Sequence, residues 1–273
     1  GVGTQVACQM QAIDELRHAQ TQIHALSNYN KFYNGFHAFA DQRDRIWYTS
    51  VPRSFFDDAM SGGPFEFLIA IGFSFEYVLT NLLFVPFMSG AAYNGDMATV
   101  TFGFSAQSDE ARHMTLGLEC IKFMLEQDPA NVPIVQRWLD KWFWRGLRLL
   151  SLVGTMMDYM LPKRVMSWAE AWQIYAEENG RALFSDLARY GIRMPKGWND
   201  AASARDHISH QFMLGLYQWS FGTAFHGWIP SESDMDWLSS KYPDTFDRYY
   251  RPRWNHFRKL ADEGRPFRNL GLA

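Results

Sequence analysis

Cysteine is scarce: a chain of 273 residues carries two, Cys8 and Cys120. So few thiols exclude a disulfide-framed scaffold and suit a reducing compartment, and a cytoplasmic location is expected. Charge of one sign is lacking too. A formal net charge of −3 without an extended acidic or basic run offers no footprint for nucleic acid or an anionic membrane. No Gly-rich dinucleotide fingerprint occurs, so no dinucleotide site is expected on this chain. No secretory leader pattern opens the sequence, and the first residue is Gly1 rather than Met, which reads as an internal piece of a longer protein. Alternation of β type, low-complexity segments and linkers are likewise absent.

Long apolar runs are limited to one, FLIAIGFSFEYVLTNLLFVPFM at 67–88. It is long enough to cross a bilayer. Glu76, Thr80 and Asn81 interrupt its middle, where an ionisable group is costly, and no Lys/Arg cluster flanks it. The run therefore reads as a helix buried all round inside a helical protein. Hydrophobic residues make up 47% of the chain and aromatics 16%, enough for a sizeable core.

Helical spacing of Val6, Met10, Ile13, Ile23 and Leu26 predicts a first helix from about Gln5 to Phe36. DQRDR (41–45) breaks it, a short element follows near 53–60, and SGGP (61–64) stops the chain before a helix opened by Pro64. That helix should reach Tyr93 with a bend at Pro86. A further helix should end at Gln127, before Asp128-Pro129. Helical patterns resume at 131–160, 164–190 and 200–222, followed by an irregular Trp/Tyr/Pro-rich tail. The expected fold is all-α, a bundle with added C-terminal helices in a single domain spanning 1–273.

Within this pattern a five-residue arrangement occurs twice: DELRH at 14–18 and DEARH at 109–113. In Glu15-x-x-His18 and Glu110-x-x-His113 the two side chains stand three residues apart, hence on one helix face, where both can reach one metal ion. Carboxylate with imidazole suits iron or manganese. One such pair is ordinarily a solvated ion pair; two in the same frame on separate helices match the di-iron carboxylate bundle, which adds a lone Glu from each of two other helices. Glu76, alone in an apolar helix, is one of these; otherwise it is a core carboxylate held neutral or paired. Asp14, Asp109, Arg17 and Arg112 fit an outer ring that orients the imidazoles, although spacing leaves open which Asp serves which His. The second lone Glu is missing. Glu66 would lie about 15 Å from Glu76 along the same helix, and the absent ligand is expected upstream of Gly1.

DELRH, then GFSFEYVLTNLLF, then SDEARHMTLGLE together resemble the large oxygenase subunit of bacterial multicomponent monooxygenases, most of all the phenol hydroxylase branch. The resemblance covers essentially the whole chain, and the family's subunits are longer at both ends. It implies a ferritin-like bundle holding two iron ions, with Glu15, His18, Glu76, Glu110 and His113 as ligands. It implies O2-dependent hydroxylation of an aromatic ring, phenol to catechol in the first instance, or of toluene, an alkene or methane. Electrons would come from NAD(P)H through a separate reductase, and smaller hydroxylase subunits and an effector protein would assemble on a dimer of the large subunit.

Residue by residue, Thr80 matches the family's active-site threonine; the plain alternative is a hydroxyl bonded back to residue 76. Asn81 and Gln107 match a small pore toward the metals, or are buried amides. Gln22, Phe75 and Phe84 match the substrate pocket, as does Phe55 less securely, although each Phe is also ordinary core. Cys8 shares the face of Glu15 and reads as a buried apolar thiol. His207 and His210 lack any carboxylate frame and read as helix surface. YYRPRWNHFRK (249–259) mixes basic and aromatic residues and reads as a partner contact or packed tail. A ferritin-like storage protein would be shorter than this chain, and an interaction subunit that had lost its metals would show substituted ligands.

Overall fold

A helix that is apolar on every side must be covered on every side, and the longest apolar stretch accordingly forms the centre of the molecule. The computed structural model describes residues 1–34, 49–219 and 229–263. Among these, helices and turns account for the architecture and no strand occurs. Helix α1 spans Val2–Tyr29, α2 Ser50–Ser61, α3 Pro64–Asn94 and α4 Met97–Gln127. Helix α5 is Val132–Thr155 and runs on into the wider turns Met156–Met160.

Helix α3 is the one described helix long and apolar enough to cross a membrane, and its most apolar window is 67% buried within the protein. It packs mainly between α4 and α5, burying Ile69, Phe73, Val78, Leu79 and Leu82. Pro64 opens it where an N–H has no intrahelical partner, and Gly95 ends it at φ 81°. Between Ile69 and Thr80 the helix widens to i→i+5 turns, and Glu76 stands in that stretch. Helix α4 begins at Asp96, whose side chain accepts from Thr99 N at 3.1 Å, and ends at the expected Asp128-Pro129. Proline after Asp128 holds that residue extended, at φ −155° and ψ 120°.

Helices α3 and α4 touch backbone to backbone. A Cβ placed on Gly117 would come 2.5 Å from Gly72 C and 2.6 Å from Phe73 N. Only glycine allows that approach, four residues from both Glu76 and His113. Helix α1 runs antiparallel to α4, pinned at one end where Tyr29 Oη donates to Asp96 at 2.9 Å. Its inward face is polar. Gln11, Asp14 and His18 are the buried residues, whereas Val6, Met10, Ile13 and Ile23 are exposed. Ion pairs with α4, rather than apolar contact, set which face turns inward. The helix also ends at Tyr29 and not near 36; residues 30–34 turn, and the DQRDR break lies outside the described residues.

Helix α6 runs from Trp168 to Leu187 through Trp168–Ala171, a wider Trp172–Glu178 and Asn179–Leu187. It starts at Trp168 rather than 164 because Ser167 and Glu170 form a reciprocal cap. The segment expected as one helix at 200–222 is two, α7 Trp198–Ala204 and α8 Ile208–Trp219. Against expectation the tail is helical: α9 Glu232–Lys241, then α10 from Phe246–Tyr250 into Arg251–Asp262. Its aromatic residues are its core. Phe246, Tyr250 and Trp254 pack with Met213, Leu238 and Tyr159 into a second apolar cluster.

That cluster encloses a polar network. Asp158 is fully buried and accepts from Tyr242 Oη at 2.6 Å, Trp168 N at 2.9 Å and Ser209 Oγ; burial still pushes its carboxyl up to about 6. His210, expected at the surface, is buried there, bonded through Nδ1 to Tyr159 Oη at 2.6 Å. His207 is half-buried and meets Tyr250 Oη at 2.6 Å.

Two outcomes follow from this packing. Gly117→Ala should cost about 1–3 kcal/mol by overpacking and lower the thermal midpoint, whereas Gly3→Ala, which meets open space, should not; equal midpoints would contradict the backbone contact. Burial, then the charge of His207, depress His210 to about 3 from the ordinary 6.5. The unfolded chain therefore takes up this proton first, so the contribution is whole above pH 6.5 and is lost as pH falls toward 3. Urea midpoints across that window should fall less steeply for His210→Gln than for the parent.

Candidate metal centre

Positions 14, 15 and 18 on α1 and 109, 110 and 113 on α4 face each other because the helices run antiparallel. The register crosses the two motifs. His18 Nε2 meets Asp109 Oδ2 at 2.9 Å, and His113 Nε2 meets Asp14 Oδ2 at 3.3 Å, so each motif's aspartate serves the other motif's histidine. Arg112 donates to Asp14 at 2.8 Å and to Asp109 at 2.7 Å, and Arg17 pairs with Asp109. Burial would raise Asp14, but its bonds with Arg112 and His113 hold it below the usual carboxylate range. With Nε2 directed at an anion, each imidazole keeps Nδ1 for the interior.

Around those two nitrogens stand three carboxylates. His113 Nδ1 lies 3.2 Å from Glu110 Oε2, 3.4 Å from Glu15 Oε1 and 3.7 Å from Glu76 Oε1. His18 Nδ1 lies 3.5 Å from Glu15 Oε2 and 3.9 Å from Glu110 Oε1. Glu15 and Glu110 thus turn one oxygen toward each histidine, the arrangement of carboxylates shared between two neighbouring cation positions. Glu76 faces only the His113 side. Among the described residues, no carboxylate of its own completes the His18 side.

Electrostatics favour a cation here. Glu15, Glu76, Glu110 and His113 each offer a ligand atom, and these four atoms lie within 4.8 Å of one another. Burial first, and the charges of Glu110 and Glu15 next, push Glu76 up to about 7 against the opposing pull of His113. Burial and then Glu110 also raise Glu15, whose side chain is half exposed. Burial disfavours charged His113, but bonds to Glu110 and Glu76 prevail and lift it to about 10. Glu76 Oε2 is buried without a hydrogen-bond partner. A lone pair left unsatisfied among like charges costs free energy that a divalent cation would remove, so the donor set fits iron.

A cavity of about 430 Å³ opens beside the cluster. Gln22, Phe75, Phe84 and Thr80 line it, together with Glu15, His18, Glu76 and Glu110. Phe55 does not; it is buried one ring further out, 5.2 Å from both Phe56 and Phe75. Asn81 and Gln107 are half-buried and lie outside the lining. Cys8, expected to be buried, is exposed and faces the cavity. Thr80 Oγ1 donates to Phe75 O at 2.9 Å, one residue further back than an ordinary helix would give, because the turns there are wide. Glu66 accepts from Lys141 and Trp142 and takes no part in the cluster.

Sequence reasoning missed Gln11, Ala12, Phe56, Met60, Phe67, Ile71 and Phe102 in the lining. For the α1 residues a signal existed. Positions 8, 11, 12, 15, 18 and 22 follow the i, i+3, i+4, i+7 rule from Glu15. Phe102 comes from α4 and meets the His18 ring edge-on at 6.0 Å.

Glu76→Gln removes one buried like charge. The metal-free chain should gain stability by about 1–3 kcal/mol at pH 8, read as a higher urea midpoint, while its affinity for ferrous ion drops. A variant that lost stability instead would refute the electrostatic account of this cluster.

The chain is similar to several known proteins. A model of the methane/phenol/alkene hydroxylase family matches residues 1–128. The oxygenase component DmpN of phenol 2-monooxygenase from Pseudomonas sp. (strain CF600) is 67% identical over 98% of this chain and 52% of its own length. The alpha subunit of the alkene monooxygenase oxygenase component from Xanthobacter autotrophicus is 32% identical over 85% of this chain and 47% of its own. The crystal structure of xenon-pressurized phenol hydroxylase from Pseudomonas sp. OX1 superimposes with a TM-score of 0.93 at 70% identity, covering 97% of this chain and 54% of that one. The chain spans about half the length of these relatives. The fold is accordingly the ferritin-like helical bundle expected of the motifs, and the chain is similar over nearly its whole length to the oxygenase component of phenol hydroxylases, its first 128 residues matching the methane/phenol/alkene hydroxylase family.

Proposed function

We propose that this chain is the catalytic part of the oxygenase component of a multicomponent monooxygenase, one that hydroxylates an aromatic ring and converts phenol to catechol. The observation that carries the reading is the cluster of Glu15, Glu76, Glu110 and His113 at the wall of an aromatic-lined cavity. Residues 1–273 would act as one ferritin-like unit. Glu76, His113 and the shared Glu15 and Glu110 would hold one iron, and His18 with the same two glutamates would hold the second. Bound iron supplies the redox chemistry that divides dioxygen between a new C–O bond and water. Electrons for it come from NAD(P)H through a separate reductase, and smaller subunits and an effector protein complete a dimeric cytoplasmic assembly.

The chain's own residues do the rest. Phe75, Phe84 and Phe102 give a flat ring an apolar slot beside the carboxylates and keep bulk water from it. Asp14 and Asp109 hold the imidazoles in the tautomer that leaves Nδ1 free. Thr80 carries a proton on the cavity wall, parked on Phe75 O, and one rotation about its Cα–Cβ bond turns that O–H toward the substrate space.

The reading is tested on the full-length oxygenase component assembled with its partners. It should contain two iron ions per chain with the Mössbauer signature of a coupled pair, and it should form catechol from phenol. Glu110→Ala should abolish hydroxylation with helix content nearly unchanged. Absent or uncoupled iron in the parent, or hydroxylation retained in the variant, would overturn the assignment.

A further inference from the structure

Beyond the metal ligands, the cavity wall carries one buried neutral amide. Gln11 is 8% exposed, lines the cavity, and its side chain hydrogen-bonds to no described residue. Neither amide atom is sealed from solvent, so both stay free to bond a ligand that enters the cavity. The remaining polar groups on the wall are partnered at rest or stand further off. His18 Nε2 is bonded to Asp109, and Thr80 gives its proton to Phe75 O. Gln22 is exposed and stands about 16 Å further along the α1 axis.

We infer that Gln11 recognises the hydroxyl group of a phenolic substrate and so selects hydroxylated rings over bare ones. This rests on the proposed aromatic hydroxylation. Gln11 precedes Glu15 by four residues, one turn of α1 and about 6 Å of rise. A ring bonded through its oxygen to that amide can lie along the helix on the Glu15 side, within one helical turn of the carboxylates. The amide suits the task chemically: its carbonyl accepts the phenol O–H while its NH2 donates to the phenol oxygen. Phe56 and Phe75 also line the cavity and leave the ring in apolar contact. Gln11 is thus a specificity residue that favours a hydroxylated ring over a bare one.

The test uses the iron-loaded, full-length oxygenase component with its partner subunits. 4-Fluorophenol and fluorobenzene are titrated separately and followed by 19F NMR. Gln11→Leu should raise the dissociation constant of 4-fluorophenol about tenfold and that of fluorobenzene less than twofold. Gln11→Met, of similar length and without a hydrogen-bonding group, should give the same contrast, and it guards against a misfolded leucine variant. Equal shifts for both probes in both variants, or no shift for either, would overturn the inference. Phenol turnover by the parent keeps the two readings apart. A parent that shows the binding contrast but forms no catechol refutes the hydroxylase reading alone, whereas catechol formation without the contrast refutes the role of Gln11 alone.

Discussion

Three carboxylates and two imidazoles gathered among helices α1, α3 and α4 are the constraint to which the rest of the structure answers. Like charges at hydrogen-bonding distance repel, and burial strengthens that repulsion, as the upward displacement of Glu76 records. Local helix propensity does not hold such a group together. Tertiary contacts do: the Gly72–Gly117 approach fixes α3 against α4, the crossed Asp–His and Asp–Arg bonds fix α1 against α4, and Tyr29 with Asp96 secures the far end of α1. The wide turns of α3 belong to the same arrangement. They bring Glu76 and Thr80 to one wall while the remainder of the helix stays in the core.

Much of this was legible in the sequence, and the legible part has a physical description. Carboxylate–x–x–histidine spacing is a statement about one helix face, so Glu15, His18, Glu110 and His113 could be read without coordinates, and a lone Glu76 in an apolar helix marks itself by its cost. Termini with chemical signatures were also readable, among them the Asp128-Pro129 stop and the Pro64 start. Pairings that depend on how two helices face each other were not. Which aspartate serves which histidine is decided by antiparallel register, and one-dimensional spacing is silent on it. Widened turns in α3 left no trace either, because a helix apolar all round shows no periodicity to be disturbed.

The errors share a cause. Cys8 was expected to be buried, and it is exposed at the cavity; the tail was expected to be irregular, and it is two helices closed around Trp254. In both, composition was weighed without the partner surface. His210 went wrong likewise, since nothing in DHISHQF announces that Tyr159, Tyr242 and Tyr250 will enclose it. Such a network, with Asp158 at its centre, ties the end of α5 to the last helices and makes the second cluster depend on the first.

The crossing of the two D-E-x-R-H motifs has a consequence for how such a chain can change over time. Each copy supplies a carboxylate and an imidazole to the cluster and the orienting anion for the other helix. A chain that kept one copy and lost the other would retain a histidine without its aspartate and an aspartate without its histidine, and neither half would be a working remnant. Partial decay therefore offers no stable resting point, and the two copies, though some ninety residues apart, must be inherited or discarded as a single unit.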